Sequence, residues 1–428
     1  MSSYSRLQTA TRPPAIARCY AMVLAGGRGT RLVNLTDHRA KPAVPFGGQH
    51  RIIDFALSNC LNSGVRQIGV ATQFKAHSLI RHVRDGWTMF DPRRGEALDL
   101  LPAQQRTGEG WYGGTADAVF QNLDVIRAAR PEYVLILAGD HVYRMDYAQM
   151  LSDHVAKGAD LSIACIDVPV ADARGFGVMG VDTGDRIVRF TEKPDCPDPI
   201  PGSPGRALAS MGIYIFNASF LFYELERDAR TQKSSHDFGK DIIPFLVDRA
   251  RVYAHRFASS AVGAPYWRDV GTVASYWAAN MELLGGDPAF DPFDRFWPIA
   301  GGSQLPHPAR FVTDGSGNRS IAVDSLVAGG CVVEGSRIER SVLSPNVSIG
   351  GGTTIAESVL LPGVQVGRNV RLRRVIVDSG CVIPDYMAIG ENAATDGASF
   401  HVDADGIVLV NAEMLARIDC RQERHAAA

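Results

Sequence analysis

The residues best suited to chemistry lie in a glycine-rich run, Ala25-Gly26-Gly27-Arg28-Gly29-Thr30-Arg31-Leu32, followed by Arg39-Ala40-Lys41-Pro42. Glycine lets successive backbone N–H groups approach and line a phosphate, and Arg28 and Lys41 add full positive charges to such a cradle. Without its cations the run reads as a tight loop. It is not a P-loop, since no Gly-Lys-Ser/Thr follows at the required spacing, and it lacks the Gly-x-Gly-x-x-Gly dinucleotide pattern. Two carboxylates add to the set, Asp140 in Ala138-Gly139-Asp140-His141 and the distant Asp269 in Trp267-Arg268-Asp269. Mg²⁺ takes only one or two protein carboxylates plus phosphate oxygens and water, so this pair suffices for one ion; each is equally readable as a cap or turn carboxylate. Cations and a metal of this kind serve displacement at phosphorus, where the protein aligns anions and stabilises charge on the leaving oxygens.

Elements must bring these residues together. Short apolar runs alternate with helical stretches from about residue 20 to 280, the pattern of a parallel sheet covered on both faces. Strands are expected at 20–24, 67–71, 133–137 and 161–165, and helices at 54–63 and 116–129. Ligands of such sheets sit at the carboxyl ends of the strands, which is where the glycine run and Asp140 fall. Residues 285–317, rich in Gly, Pro, Asp and aromatics, read as a connector.

A repeat follows. Aliphatic residues recur at six-residue intervals: Val327 and Val333; Leu343, Ile349 and Ile355; Val366 and Leu372; Val377, Ile383 and Ile389. Such a hexad sends one apolar side chain per short strand into the axis of a parallel β-helix. An antiparallel sandwich, with its period of two, does not explain the spacing. The open end of such a prism needs a cap, and residues 406–410 and 412–418 are candidates.

The chain has 428 residues, a net charge of −2, 46% hydrophobic and 21% charged residues. Two domains are the natural division at this length, and no bulk field attracts nucleic acid or anionic lipid. Seven scattered cysteines without a C-x-x-C spacing read as free thiols. The N-terminus carries no apolar signal region and runs such as 133–138 are too short to span a bilayer, so a cytoplasmic location is expected.

With Arg28, Arg31, Lys41 and Pro42 included, the glycine run resembles the pyrophosphorylase signature of sugar-nucleotide nucleotidyltransferases. The resemblance continues through Phe46-Gly47-Gly48, Arg51-Ile52-Ile53-Asp54-Phe55, Leu101-Pro102-Ala103-Gln104-Gln105-Arg106, Trp111-Tyr112 with Gly114-Thr115-Ala116-Asp117-Ala118, and Ala138-Gly139-Asp140-His141. It extends through Glu192-Lys193-Pro194, Ser210-Met211-Gly212, the segment from Ser235 to Asp241, and the segment from Tyr266 to Thr272. Together these look like the bacterial ADP-glucose pyrophosphorylase family over nearly the whole chain.

That resemblance implies an α/β fold: a Rossmann-like nucleotidyltransferase domain with a mostly parallel sheet (1–284), the connector (285–317), and a left-handed parallel β-helix with a C-terminal cap (318–428). It implies ATP and glucose 1-phosphate as substrates and Mg²⁺ on Asp140 and Asp269. Arg28 and Lys41 are implied on the phosphates, with Asp140 completing the catalytic set. Lys193 is implied at the phosphate of glucose 1-phosphate, and Glu192, Ser210 and Asp237 around the sugar. Lys193 read alone is an exposed strand-end lysine, and Asp237 also reads as a helix cap. Gly26, Gly27, Gly29, Thr30, Gln73, Gln105, Tyr112 and Gly114 are implied for the nucleotide, although Tyr112 is equally readable as a core aromatic. His141 and His236 are read as hydrogen-bonding or packing residues.

Family members are typically homotetramers under allosteric control by glycolytic intermediates. Arg39 and Arg51 match effector positions of fructose-bisphosphate-activated relatives, with His38 beside them. Pro45, Ser379, Ala412 and Ala416 stand where those relatives carry cationic or basic side chains, so a lighter anion, fructose 6-phosphate or pyruvate, is expected as activator. Competing readings are a thymidylyl- or uridylyltransferase for the same sugar phosphate, a non-catalytic regulatory subunit, and a hexapeptide-repeat acyltransferase. The last lacks an evident acyl-transfer histidine motif within the repeat.

Overall fold

A computed structural model describes residues 14–27, 29–104, 111–257, 265–286, 288, 290–301 and 307–418. The N-terminal part is built on a nine-stranded sheet. Its strands are β1 (Cys19–Leu24), β2 (Gln67–Thr72), β3 (Ala97–Pro102), β4 (Tyr133–Ala138), β5 (Leu161–Pro169), β6 (Gly177–Val181), β7 (Ile187–Glu192), β8 (Arg206–Asn217) and β9 (Val252–Arg256). The order is β7-β6-β8-β4-β1-β2-β3, with β5 paired to β8 and β9 to β5. The central run β4-β1-β2-β3 is parallel. β8 is antiparallel to β4, β5 and β6, an element absent from the sequence reading.

β1 and β4 are buried on both faces, which is why they read as continuous apolar runs. Alternate side chains still sort by face. Ala21 and Val23 pack with Ile53 and Leu57 of α1 (Ile52–Ser63), while Tyr20 and Met22 join the cluster of Ala116, Val119 and Leu123. The latter residues lie in α2 (Thr115–Phe120) and α3 (Leu123–Ala128). The sequence pattern predicts one helix over 116–129, whereas the structure breaks it at Gln121 and Asn122. Asn122 donates its backbone N–H to Val119 and its side chain to the Ala118 carbonyl, the competition with regular helical bonding that asparagine brings.

Residues 290–301 pack against α1. Trp297 Nε1 donates to Asn59 Oδ1, Ala300 N to Ser58 Oγ, and Phe290 stacks on Tyr266 at 4.9 Å. The prism begins within the segment read as connector, because Arg310–Val312 pairs in parallel with Val332–Glu334.

Three parallel sheets form the left-handed β-helix. Inward residues stack in columns: Val333, Ile349, Val366 and Ile383 on one side, Ile338, Ile355, Leu372 and Ile389 on the next, Leu343, Leu360 and Val377 on the third. Paired residues lie 17 apart along most of the prism and 16 apart in its first coil, so at least one of the three corners is a residue short of a hexad. That shortened corner explains why Ile338 and Leu360 escape a strict sixfold reading. Hydroxyls support the corners: Ser341 Oγ accepts from Ser358 N, and Ser358 Oγ from Val375 N. Val408–Val410 extends the third sheet beside Val375–Val377, and His401–Val402 pairs antiparallel to it.

Candidate active site

Two strand ends build the site. Ala25 N donates to the Ala71 carbonyl after β1, and Gly139 N to the Leu24 carbonyl after β4, so the glycine turn and Asp140 emerge side by side. This is the crevice where the strand order reverses about β1. Gly29 has φ +65°, and a Cβ there would lie 2.8 Å from the Lys41 Cβ, so a side chain would displace the lysine. Asp269 arrives from far along the chain through a small sheet in which Trp267–Arg268 pairs with Val142–Tyr143.

Lys41 Nζ then lies 3.1 Å from Asp140 Oδ2 and 2.8 Å from Asp269 Oδ1. Burial disfavours the ammonium, but the two carboxylates outweigh it and hold the Lys41 pKa above its usual value. Burial likewise opposes ionisation of Asp140, yet Lys41 and His141 pull its pKa down to about 2. Asp269 is lowered by the same partners, again against burial. His141 is kept in the neutral direction chiefly by burial and sits edge-on to Trp267 at 5.1 Å. Its Nε2 lies 3.6 Å from Asp140 Oδ1, and the ring borders the second lobe of the cleft described next.

A cleft of two adjoining lobes opens above these groups. One, about 450 Å³, is lined by Gly26, Gly27, Gly29, Lys41, Gln73, Tyr112, Gly114, Glu192, Lys193 and Asp237. The other, about 500 Å³, is lined by Arg31, Ser210 and Asp269; Asp140, Glu192, Lys193 and Tyr214 border both. Ser210 reaches the cleft through an irregularity in β8, where the pairing with β5 slips between Ser210 and Tyr214. Gly212 carries that slip at φ +68°. Ser210 Oγ accepts from Gly212 N at 3.2 Å.

Lys193 has φ +46°, an uncommon backbone for a residue with a Cβ, and its N–H is anchored to the Phe176 carbonyl. Its ammonium is largely exposed and 3.5 Å from Glu192 Oε1. Burial raises the Glu192 pKa, with Lys193 opposing. Asp237 does cap the following turn: Oδ1 accepts from Gly239 N and Lys240 N, while Oδ2 accepts from Thr115 Oγ1 at 3.0 Å. A carboxylate has lone pairs for both a cap and a ligand, and Asp237 still borders the cleft. Tyr112 is fixed by its hydroxyl, which donates to the Leu101 carbonyl and accepts from Asn122 Nδ2 at 2.9 Å.

Thr30 is exposed at the start of the short helix Thr30–Thr36 and borders neither lobe. Arg28 and Gln105 lie outside the described residues. Arg39, Arg51 and His38 stand apart from the cleft. Arg39 makes a two-pronged pair with Asp378 of the prism at 2.8 and 3.0 Å, Arg51 donates to the Ser78 carbonyl, and exposed His38 is 3.5 Å from Glu413. Among the lining residues given no role from sequence are Tyr214 and Thr115. A lone tyrosine between the aliphatic residues of β8 was the available signal for the first, and the Gly114-Thr115 junction before α2 for the second.

Residues 20–285 match the family described as "Nucleotidyl transferase", and residues 307–410 match "GlmU-like, C-terminal hexapeptide". The chain is 56% identical to a glucose-1-phosphate adenylyltransferase of Nitrosospira multiformis, over 93% of this chain and 94% of that one. It is 57% identical to the corresponding protein of Nitrosomonas europaea, over 93% of each chain. For that of Paramagnetospirillum magneticum the identity is 55%, over 94% of this chain and 95% of the relative. The chain belongs to the glucose-1-phosphate adenylyltransferase family. In this family setting the glycine turn, Lys41, Asp140 and Asp269 fall within the nucleotidyl transferase match, and Asp378 within the hexapeptide match. Among the described residues no helix is long and apolar enough to cross a membrane, and no group of three or more His, Cys, Asp or Glu is placed to hold a metal. Two carboxylates meet the need of a hard divalent ion that draws its other ligands from phosphate and water.

Proposed function

We propose that this chain transfers the adenylyl group of ATP to glucose 1-phosphate, giving ADP-glucose and pyrophosphate. A phosphate oxygen of the sugar phosphate forms a bond to the α-phosphorus as the bond to the β-phosphate oxygen breaks. That nucleophile is anionic at neutral pH, so no general base is needed; the demand is for alignment and charge stabilisation. The single observation that carries this reading is the convergence of Lys41, Asp140 and Asp269 where the two lobes adjoin, beside the glycine turn.

Asp140 and Asp269 would hold a divalent ion, Mg²⁺ by their hardness and number, and when bound it supplies charge neutralisation on phosphate oxygens. Lys41 binds leaving-group phosphate, Gly26, Gly27 and Gly29 present backbone N–H groups, and Gln73, Tyr112 and Gly114 wall the nucleotide. Lys193 takes the phosphate of glucose 1-phosphate, with Glu192, Ser210 and Asp237 on its hydroxyls. We further propose a homotetramer activated by a light anion, fructose 6-phosphate or pyruvate, since Arg39 is already committed to Asp378 and leaves little free charge for a bisphosphate.

Pyrophosphate release with glucose 1-phosphate, Mg²⁺ and ATP, dTTP or UTP tests the reaction. ATP is expected to be preferred by about a hundredfold or more, as pockets built on specific polar contacts achieve. Equal or greater turnover with dTTP or UTP would refute adenylyl transfer.

A further inference from the structure

We propose that Lys41 is the resting protein's substitute for the divalent ion, seated between Asp140 and Asp269, and that the ion gains its place only by displacing this ammonium towards incoming phosphate. The inference rests on the reading above that these two carboxylates hold the metal. Its basis is geometric. One ammonium bridges Asp140 Oδ2 and Asp269 Oδ1 at 3.1 and 2.8 Å, so it occupies the point where the two carboxylates converge. The lysine side chain is only 5% exposed, and its stem is packed where a Cβ on Gly29 would meet it at 2.8 Å.

Two carboxylates facing one another in a partly buried cleft repel, and a cation between them removes that cost. An ammonium and a divalent ion at the same oxygens repel in turn, so they cannot share the position. The displaced ammonium needs a new anion, and it lines one lobe together with Gly27 and Gly29, the lobe to which the reading above assigns the polyphosphate. Divalent ion and polyphosphate therefore assist each other, because the phosphate accepts the charge that the metal evicts. Metal alone meets a site that is already neutralised.

The test uses the full chain and Mn²⁺ alone, without nucleotide, with free Mn²⁺ read by electron paramagnetic resonance. Lys41→Met deletes the charge and keeps the hydrocarbon stem; Lys41→Gln is the second variant if the first fails to fold. The variant is expected to bind Mn²⁺ about tenfold more tightly than the unaltered chain, the size of one charge-assisted contact. It should also melt at a lower temperature in chelator and recover on addition of Mg²⁺. Equal or weaker Mn²⁺ binding by the variant overturns the proposal. Asp140→Asn on the variant background separates the two readings: loss of Mn²⁺ binding leaves the metal site standing even if the substitution role fails, whereas unchanged binding removes both.

Discussion

At the scale of single residues, charge pairing decides most of what the cleft can do. Lys193 is anchored through its backbone N–H, and its largely exposed ammonium has, among the described residues, only the neighbouring Glu192 carboxylate, 3.5 Å away, as an ion-pair partner, so it is placed to meet a phosphate. Lys193→Gln is expected to raise the KM for glucose 1-phosphate roughly tenfold or more while leaving that for ATP near its original value, which steady-state kinetics will show. The acid pair gives a pH prediction. The Asp140 pKa falls to about 2 and Asp269 is lowered with it, so their pairing with Lys41 stabilises the fold above the unfolded carboxylate value of about 4. That contribution fades as pH drops through this window towards about 2. In metal-free buffer the stability gap between the unaltered chain and Lys41→Met should narrow on acidification, measured by urea unfolding at successive pH values. A gap independent of pH would contradict the pairing.

At the scale of elements, hydroxyl ladders bear on the stability of the prism. Ser358 Oγ accepts from Val375 N and donates to the Ala356 carbonyl, and both residues lie in its wall. Ser358→Ala strands a buried N–H and is expected to cost about 1–3 kcal/mol of unfolding free energy, visible as a lower urea midpoint. Much at this scale was legible beforehand. β1, β2 and β4 declare themselves as apolar runs, and the repeat announces the prism because its inward side chains lie on nearly fixed spacing. What escaped depends on contacts between distant segments. Ile338 and Leu360 fall at the corner that is one residue short, the break in 116–129 comes from a side-chain bond of Asn122, and the β8 slip that aims Ser210 is marked in the sequence by Gly212 alone. The site shows the same division: glycine spacing marked the phosphate turn, but only the small sheet of Trp267–Arg268 with Val142–Tyr143 places Asp269 beside Asp140.

At the scale of the whole molecule, a buried ion pair joins the N-terminal part to the prism. Arg39 and Asp378 are 14% and 10% exposed, and burial raises the Asp378 pKa even with Arg39 and the Ser379 N–H opposing. Removing one member of such a pair leaves an uncompensated charge, so Asp378→Asn is expected to cost about 3 kcal/mol, read from denaturant unfolding of the full chain. An unchanged midpoint would show that the contact adds nothing to the assembly of the two parts. Only Ala40 separates Arg39, pinned to the prism, from Lys41, pinned between two acids. Two backbone steps reach about 7 Å when fully extended. The rod and the cleft are thus moored to neighbouring links of one chain, the first through a guanidinium and the second through an ammonium.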